Sequence, residues 1–86
     1  MRFYYRFNYE CVSQKTISTL EKILDKTTWD CSIQHADAAM MILIVTEPLE
    51  TAKVITEFLQ AEIWKLNNGM LCEYIAVMED DIMDYL

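Results

Sequence analysis

The sequence predicts an α+β domain whose elements follow the order strand–helix–strand–strand–helix–strand. Two observations indicate this class. Apolar side chains recur at every second position, or without interruption, in four segments, and at helical spacing in two others. The 86 residues include one glycine and one proline, which leaves few positions that would break an element. With 53% apolar side chains, the chain is suited to a single domain with its own core.

The first strand and the first helix are recognised by the spacing of their apolar residues. Residues 2–10 are predicted to form a strand because aromatic side chains occupy every second position. These side chains, expected to face the core, are Phe3, Tyr5, Phe7 and Tyr9. Ser13 is a suitable N-cap for the helix, which continues through Lys26. Its predicted inner face consists of Ile17, Leu20, Ile23 and Leu24, and its outer face of Lys15, Lys22 and Lys26.

The next two strands are predicted to form a hairpin. In residues 28–35 the polar side chains Thr28, Asp30, Ser32 and Gln34 alternate with Trp29, Cys31, Ile33 and His35. Such alternation is typical of a half-buried strand. Residues 36–37 form a short turn, and residues 38–45 follow without a polar interruption. Such an apolar run is typical of a central strand that is covered on both faces.

The second helix is predicted over residues 48–66. Pro48 lies in its first turn, where the missing N–H costs nothing, and Asn67-Asn68-Gly69 can end it in a left-handed conformation. Its expected inner face consists of Ala52, Ile55, Leu59, Ile63 and Leu66. Residues 70–78 are predicted as the last strand of a single domain that spans residues 1–78. Residues 79–86 are expected to form an acidic C-terminal tail.

This order of elements resembles the ferredoxin-like βαββαβ sandwich. The resemblance implies a four-stranded antiparallel sheet with strands one and three in the middle. Right-handed crossovers would place both helices on one face of the sheet.

The opposite sheet face would then be open and would carry alternate residues of the apolar third strand. These are either Met40, Ile42 and Ile44 or Met41, Leu43 and Val45. Such an apolar face is unusual for a monomer, so we expect a second copy of the chain to cover it. The predicted dimer interface is the first set, Met40, Ile42 and Ile44. The alternative is that the C-terminal tail folds back across the sheet.

The charge distribution excludes several classes of partner. The net charge is −7, and residues 44–86 carry nine acidic side chains against Lys53 and Lys65, whereas residues 1–43 carry five of each sign. This excess would repel the phosphates of a nucleic acid and an anionic membrane surface. A basic protein is the complementary partner.

The ends and cysteines of the chain indicate its compartment. The N-terminal residues lack the apolar core of a signal peptide, and the longest apolar run, residues 38–45, is far shorter than the ~20 residues of a membrane-spanning helix. Cys11, Cys31 and Cys72 are expected to be reduced thiols. We therefore expect a soluble cytoplasmic protein, in the host cytoplasm if the chain is viral.

Motifs for catalysis or cofactor binding are lacking in this sequence. An RNA-recognition surface would need aromatic residues and a glycine-containing motif on the third strand, which has neither. Cys31 and His35 share a strand face but would lie about 13 Å apart, too far for one zinc ion. Residues 80–84 spell a DDxxD string, which resembles the metal-diphosphate motif of isoprenoid synthases, but those are large helical enzymes. We expect no metal, cofactor or enzymatic activity. The remaining alternative is a small hydrolase or isomerase that uses Glu73 or His35.

The second helix and the tail carry the candidate binding residues. Glu50, Glu57 and Trp64 recur every seven residues and therefore share one outer line of the helix. A tryptophan in such a place is typical of an interface hot spot, unless it packs against the last strand or the tail. The predicted partner-binding residues are Glu50, Glu57, Trp64, Glu79, Asp80, Asp81, Asp84 and Tyr85.

These observations favour a small acidic binding module that inhibits its partner by covering a basic surface, for example the nucleic-acid site of a nuclease. Small acidic phage proteins that block restriction or CRISPR nucleases as DNA mimics are similar to this chain in size and charge. One alternative is a homodimeric ligand-sensing or structural domain, in which a metabolite binds between protomers. The prediction requires that the carboxylates are not paired with the chain's own lysines and arginines.

Overall fold

A computed structural model of the protein describes residues 1–8, 13–35, 40–66, 69 and 73–84. In chain order the elements are β1 (Phe3–Asn8), α1 (Gln14–Asp25), β2 (Cys31–His35), β3 (Met40–Val45), α2 (Leu49–Leu66), β4 (Tyr74–Val77) and a C-terminal 3-10 helix (Glu79–Asp84). The predicted α+β class and the predicted order of strands and helices are confirmed.

The four strands form one antiparallel sheet in the order β2-β3-β1-β4. β1 and β3 lie in the middle, as predicted, and pair from Phe3 opposite Val45 to Asn8 opposite Met40. β2 pairs with β3 at one edge, and β4 pairs with β1 at the other. The architecture is an α+β sandwich of the ferredoxin-like kind.

One face of the sheet carries both helices and the main hydrophobic core. The core joins alternate residues of the central strands to the inner faces of α1 and α2. This confirms the predicted inward residues of these elements that the structure describes, except Ile23, which is half-buried outside the core, and Leu66. Tyr74 of β4 extends the core, because its ring centroid lies 5.7 Å from that of Tyr5 and 5.3 Å from that of Phe7. The fully buried members of the core are Phe7, Ile17, Leu20, Met41, Leu43, Val45, Ala52, Ile55, Leu59 and Ile63.

The helix ends follow from local hydrogen bonds that the sequence predicts. Ser13 caps α1, since its Oγ accepts a hydrogen bond from the N–H of Thr16 at 3.2 Å. The carbonyl of Pro48 accepts the first hydrogen bond of α2 at 2.9 Å. Beyond the end of α2, Gly69 has a φ of +86° and donates its N–H to the carbonyl of Trp64 at 2.8 Å. This is the predicted left-handed stop.

Some predicted boundaries are wrong by a few residues. Residues 28–30 precede the second strand, which begins at Cys31. Alternation of side chains does not show where pairing with a neighbouring strand begins. β4 is shorter than the predicted range 70–78, since Glu73 and Met78 lie outside the strand. Leu66, predicted to face inward, is 40% exposed because the last turn of α2 extends past its final core residue, Ile63.

Several predicted features lie outside the described residues and stay predictions. They are the end of the first strand at residues 9–10, the hairpin turn and the start of the third strand at residues 36–39, Asn67 and Asn68, residues 70–72 of the last strand, Cys11, Cys72 and Tyr85.

The sheet face without helices is closed at its centre by the chain itself. Ile42 is 0% exposed and Tyr4 is 7% exposed, and Ile44 and Val77 pack around them as a second, smaller apolar cluster. The expectation that Ile42 needs a second copy to cover it is therefore wrong, because the single chain leaves none of its surface accessible. The 3-10 helix packs against β1, and the alternative that the tail folds back across this face stays a prediction.

Candidate protein-binding site

The outer surface of α2 carries a row of exposed side chains, here called the α2 outer line. Its members are Glu50, Val54, Glu57, Ala61 and Trp64. They lie alternately four and three residues apart, which places them on one side of the helix. The inner side of α2 packs in the core, so this row faces away from the domain. Val54 is 53% exposed and Trp64 is 50% exposed, so the line mixes carboxylates with apolar surface.

Trp64 is the largest side chain of the α2 outer line, and half of it is accessible. A Cβ placed on Gly69 would lie 3.7 Å from Cζ2 of the indole, so Gly69 runs close to one side of the ring. The rest of the ring borders a shallow recess of about 300 Å³ on the helix surface. The recess is lined by Glu57, Gln60, Ala61, Trp64 and Lys65. The helix therefore presents an indole, an apolar floor and a carboxylate within one small area.

The predicted acidic residues with described side chains are all exposed: Glu50, Glu57, Glu79, Asp80 and Asp81. Among the residues that the structure describes, none of these five carboxylates is in an ion pair. An ion pair does join Nζ of Lys65 to Oε1 of Glu62 at 3.4 Å. Lys53 is also exposed and lies between Glu50 and Glu57 in the helix, so it partly offsets the charge of the α2 outer line.

The structure brings the predicted residues together as two groups. The first is the α2 outer line, on the helix that packs against β1 and α1. The second, called here the acidic end, consists of Glu79, Asp80 and Asp81 in the 3-10 helix that follows β4. Asp84 belongs to the same 3-10 helix, but its side chain lies outside the described part, as does all of Tyr85.

The proposed dimer residues are divided by their burial. Ile42 is fully buried and Ile44 is half-buried. The side chain of Met40 lies outside what the structure describes. A homodimer through this face stays a prediction. Of the three residues, Ile44 has a side chain that the structure describes as partly accessible.

The exposed apolar residues around β4 are not among the sites that the sequence predicts. Ile75 is 51% exposed and Met78 is 71% exposed, and Ala76 is exposed as well. α1 packs against β2 and α2 against β1, which leaves β4 at the margin of the helical layer. The predicted strand order already puts the fourth strand at an edge of the sheet, and that position is the signal that could have identified them.

The buried Tyr5 and the half-buried Cys31 have raised pKa values. Burial raises the pKa of the Cys31 thiol, and the carboxylates of Asp30 and Glu47 raise it further. Burial, followed by the effect of Tyr74, raises the pKa of Tyr5. An activated cysteine nucleophile shows the opposite shift, because a lowered pKa produces the thiolate. The surroundings of Cys31 therefore do not favour covalent catalysis there.

The described residues contain neither a metal site nor a membrane-spanning helix. Within the ranges given above, no three side chains of the types His, Cys, Asp and Glu lie close enough together to hold a metal ion. No helix in the same ranges has the length and apolar character needed to cross a membrane.

Comparison of the chain with protein-family models, curated proteins and solved structures finds no match.

Proposed function

We propose that this protein is a small acidic binding module that covers a basic surface of a partner protein. The observation that carries the proposal is the half-exposed indole of Trp64, which lies beside Glu57 and the recess on α2. Burying apolar surface is favourable by roughly 25 cal/mol per Å². Tryptophan is also among the residue types that are enriched at the hot spots of protein interfaces.

The acidic side chains support a partner of opposite charge. Carboxylates that have no cation of their own in the described structure can pair with lysine and arginine side chains of a second protein. Such charges steer the encounter and select the partner more than they add affinity. The acidic end has three consecutive acidic residues, whereas Lys53 interrupts the charge on α2. We therefore assign steering mainly to the acidic end and anchoring to Trp64.

A basic surface on a protein is frequently a site for nucleic acid. A module that places carboxylates on such a surface competes with phosphates for the same lysine and arginine side chains. The proposed consequence of binding is occlusion, in which the protein inhibits a nucleic-acid-binding protein such as a nuclease. This mode of action is that of a DNA mimic.

The test begins with affinity capture from cells of the native host at low and at high salt. A partner that binds through charge is released by salt, because screening weakens exposed ion pairs. The identified partner is then measured by titration calorimetry with the purified chain and its variants. Trp64→Ala should weaken binding by about 2 kcal/mol, or roughly thirtyfold.

Charge reversal separates the two groups. Glu57→Lys and the double variant Asp80→Lys/Asp81→Lys should each weaken binding and reduce its salt dependence. The matched control is Glu21→Lys, which makes the same change at an exposed position on α1. If Trp64→Ala and both reversals bind as tightly as the original chain, the proposal is wrong. If the captured partner keeps its nucleic acid in the presence of the bound protein, the occlusion mechanism is wrong.

A further inference from the structure

The edge strand β4 offers a second binding surface, which the proposed function does not use. We infer that β4 accepts an extended basic segment of a partner protein as a fifth strand of the sheet. The inference goes beyond the proposed function, because it depends on none of the residues of the α2 outer line and shares with the proposed function the acidic end alone.

The hydrogen-bonding geometry of an edge strand is the first argument. β4 stands at the end of the strand order, and its described pairing is with β1. In such a strand every second residue directs its N–H and C=O groups away from the neighbouring strand. An added strand can pair with these groups, and main-chain hydrogen bonds then supply affinity independently of sequence.

The side chains of the two sheet edges differ, which is the second argument. On the face without helices, β2 exposes the polar residues Ser32 and Gln34. On the same face β4 exposes Ile75, which is 51% accessible. Met78, one residue past the end of β4, is 71% accessible. Cross-strand apolar pairs stabilise a sheet. The β4 edge therefore gains from an added strand, whereas the β2 edge does not.

A recess beside β4 is the third argument. It has a volume of about 240 Å³ and lies between the start of β1 and the end of β4, where Tyr4, Ala76 and Met78 contribute to its walls. Peptides that add to a sheet gain specificity by placing alternate side chains in such pockets. The recess can take one apolar side chain of the added strand.

Charge complementarity identifies the occupant as basic. The acidic end follows β4 after a single residue, Met78, so a strand laid along β4 has one terminus beside three carboxylates. Lysine or arginine at that terminus would pair with them. A second copy of this chain brings its own charge of −7. In the antiparallel register that places Ala76 opposite its own counterpart, Glu73 would also face Glu79 of the copy, which is unfavourable.

The experiment uses the full chain, labelled with ¹⁵N, and a synthetic peptide of about ten residues in which valine alternates with lysine. We expect saturable shifts at the backbone amides of residues 74–78 and slower hydrogen exchange at outward-facing amides of β4. Two control peptides should not bind at the same concentration. One replaces every lysine with glutamate, and the other has a central proline, which cannot donate to a ladder.

Variants locate the binding and separate it from the proposed function. Ile75→Lys should weaken peptide binding about tenfold, because it replaces an apolar contact with a like charge. Ser32→Lys adds the same charge on the same face at the opposite edge and should change binding less than about twofold. Trp64→Ala should leave peptide binding unchanged, although it disables the α2 surface.

Several results would overturn the inference. They are the absence of saturable shifts, shifts centred on α2, equal binding of the proline peptide, and dimerisation of the chain through β4. If Ile75→Lys loses peptide binding and also unfolds at a lower midpoint, Ile75→Thr is measured as a second variant, because threonine is a strand-forming residue. Unchanged binding by a stable Ile75→Thr also counts against the inference.

Discussion

Trp64 and Gly69 are joined at the end of α2, where the carbonyl of Trp64 accepts a 2.8 Å hydrogen bond from the N–H of Gly69. Gly69 is the chain's one glycine, and its φ of +86° lies in the region that other residues rarely adopt. The same glycine runs close to the indole. The termination of α2 and the surroundings of the proposed anchor therefore depend on one backbone conformation.

Replacing Gly69 should destabilise the protein through its backbone conformation. An alanine Cβ would lie 3.7 Å from Cζ2 of Trp64, an ordinary van der Waals contact, so the methyl group fits. The positive φ remains unfavourable, and Gly69→Ala should lower the free energy of unfolding by about 1 kcal/mol. Gly69→Asn should cost less, since asparagine tolerates this region better. Urea unfolding measures both, and equal stability of all three proteins would contradict the role given to Gly69.

The cap of α1 provides a second stability prediction. Oγ of Ser13 accepts the N–H of Thr16 at 3.2 Å and lies 3.0 Å from Oγ1 of the same residue. Ser13→Ala removes this acceptor and should lower the free energy of unfolding by about 1 kcal/mol. Ser18→Ala, an exposed change inside α1, should be neutral or slightly stabilising because alanine is the better helix former. Chemical unfolding of the two variants side by side tests the assignment, which fails if Ser18→Ala is the more harmful change.

The burial of Ile42 predicts that the face without helices contributes to stability. Ile42→Ala leaves a cavity in the smaller apolar cluster and should cost about 2–5 kcal/mol. Ile75 lies on the same face but is 51% exposed, so Ile75→Ala should cost less than about 0.5 kcal/mol. The two free energies of unfolding are compared by urea titration. Similar losses for the two variants would mean that Ile42 is not enclosed within the single chain.

The sequence predicts which residues share a face better than it predicts what covers that face. Alternation places Phe3, Tyr5 and Phe7 together, and they do face the core. Alternation also places Ile42 with the opposite face, but its burial depends on contacts between distant parts of the chain. Tyr4 of β1 and Val77 of β4, which join Ile42 in the smaller cluster, provide such contacts. The pattern within β3 does not indicate how completely these neighbours cover it.

The candidate site shows the same division. Glu57 and Trp64 could be placed on one outer line because helical periodicity fixes the relative direction of residues seven apart. The exposure of Ile75 could not be predicted in this way. It depends on what covers the face without helices, where Tyr4 and Ile42 at the centre are buried and Ile75 on the edge strand is not. Sequence spacing predicts directions within one element, whereas exposure at β4 depends on how the strands and the segments around them are arranged.

The raised pKa values of Cys31 and Tyr5 predict that the protein becomes less stable at alkaline pH. For Cys31 the causes are burial and then the carboxylates of Asp30 and Glu47, and for Tyr5 they are burial and then Tyr74. Each group releases its proton more readily in the unfolded chain than in the fold. Their contribution to stability is therefore complete below about pH 9, the ordinary value for a thiol here, and is lost as the pH rises through the folded pKa values.

The free energy of unfolding, measured by urea titration under reducing conditions, should fall as the pH rises past 9.0 and 10.0, the ordinary pKa values of the thiol and of the tyrosine. The double variant Cys31→Ala/Tyr5→Phe removes both titrating groups and keeps the aromatic ring of Tyr5. Its stability should change less over this interval than that of the original chain, although other groups titrate in both proteins. Glu47→Gln keeps an acceptor for the backbone N–H of Asp30, which Glu47 accepts at 2.9 Å. This variant should lower the pKa of Cys31, seen as faster alkylation of that thiol by peptide-resolved mass spectrometry. An alkaline profile identical in the original chain and the double variant would show that Cys31 and Tyr5 do not control this loss.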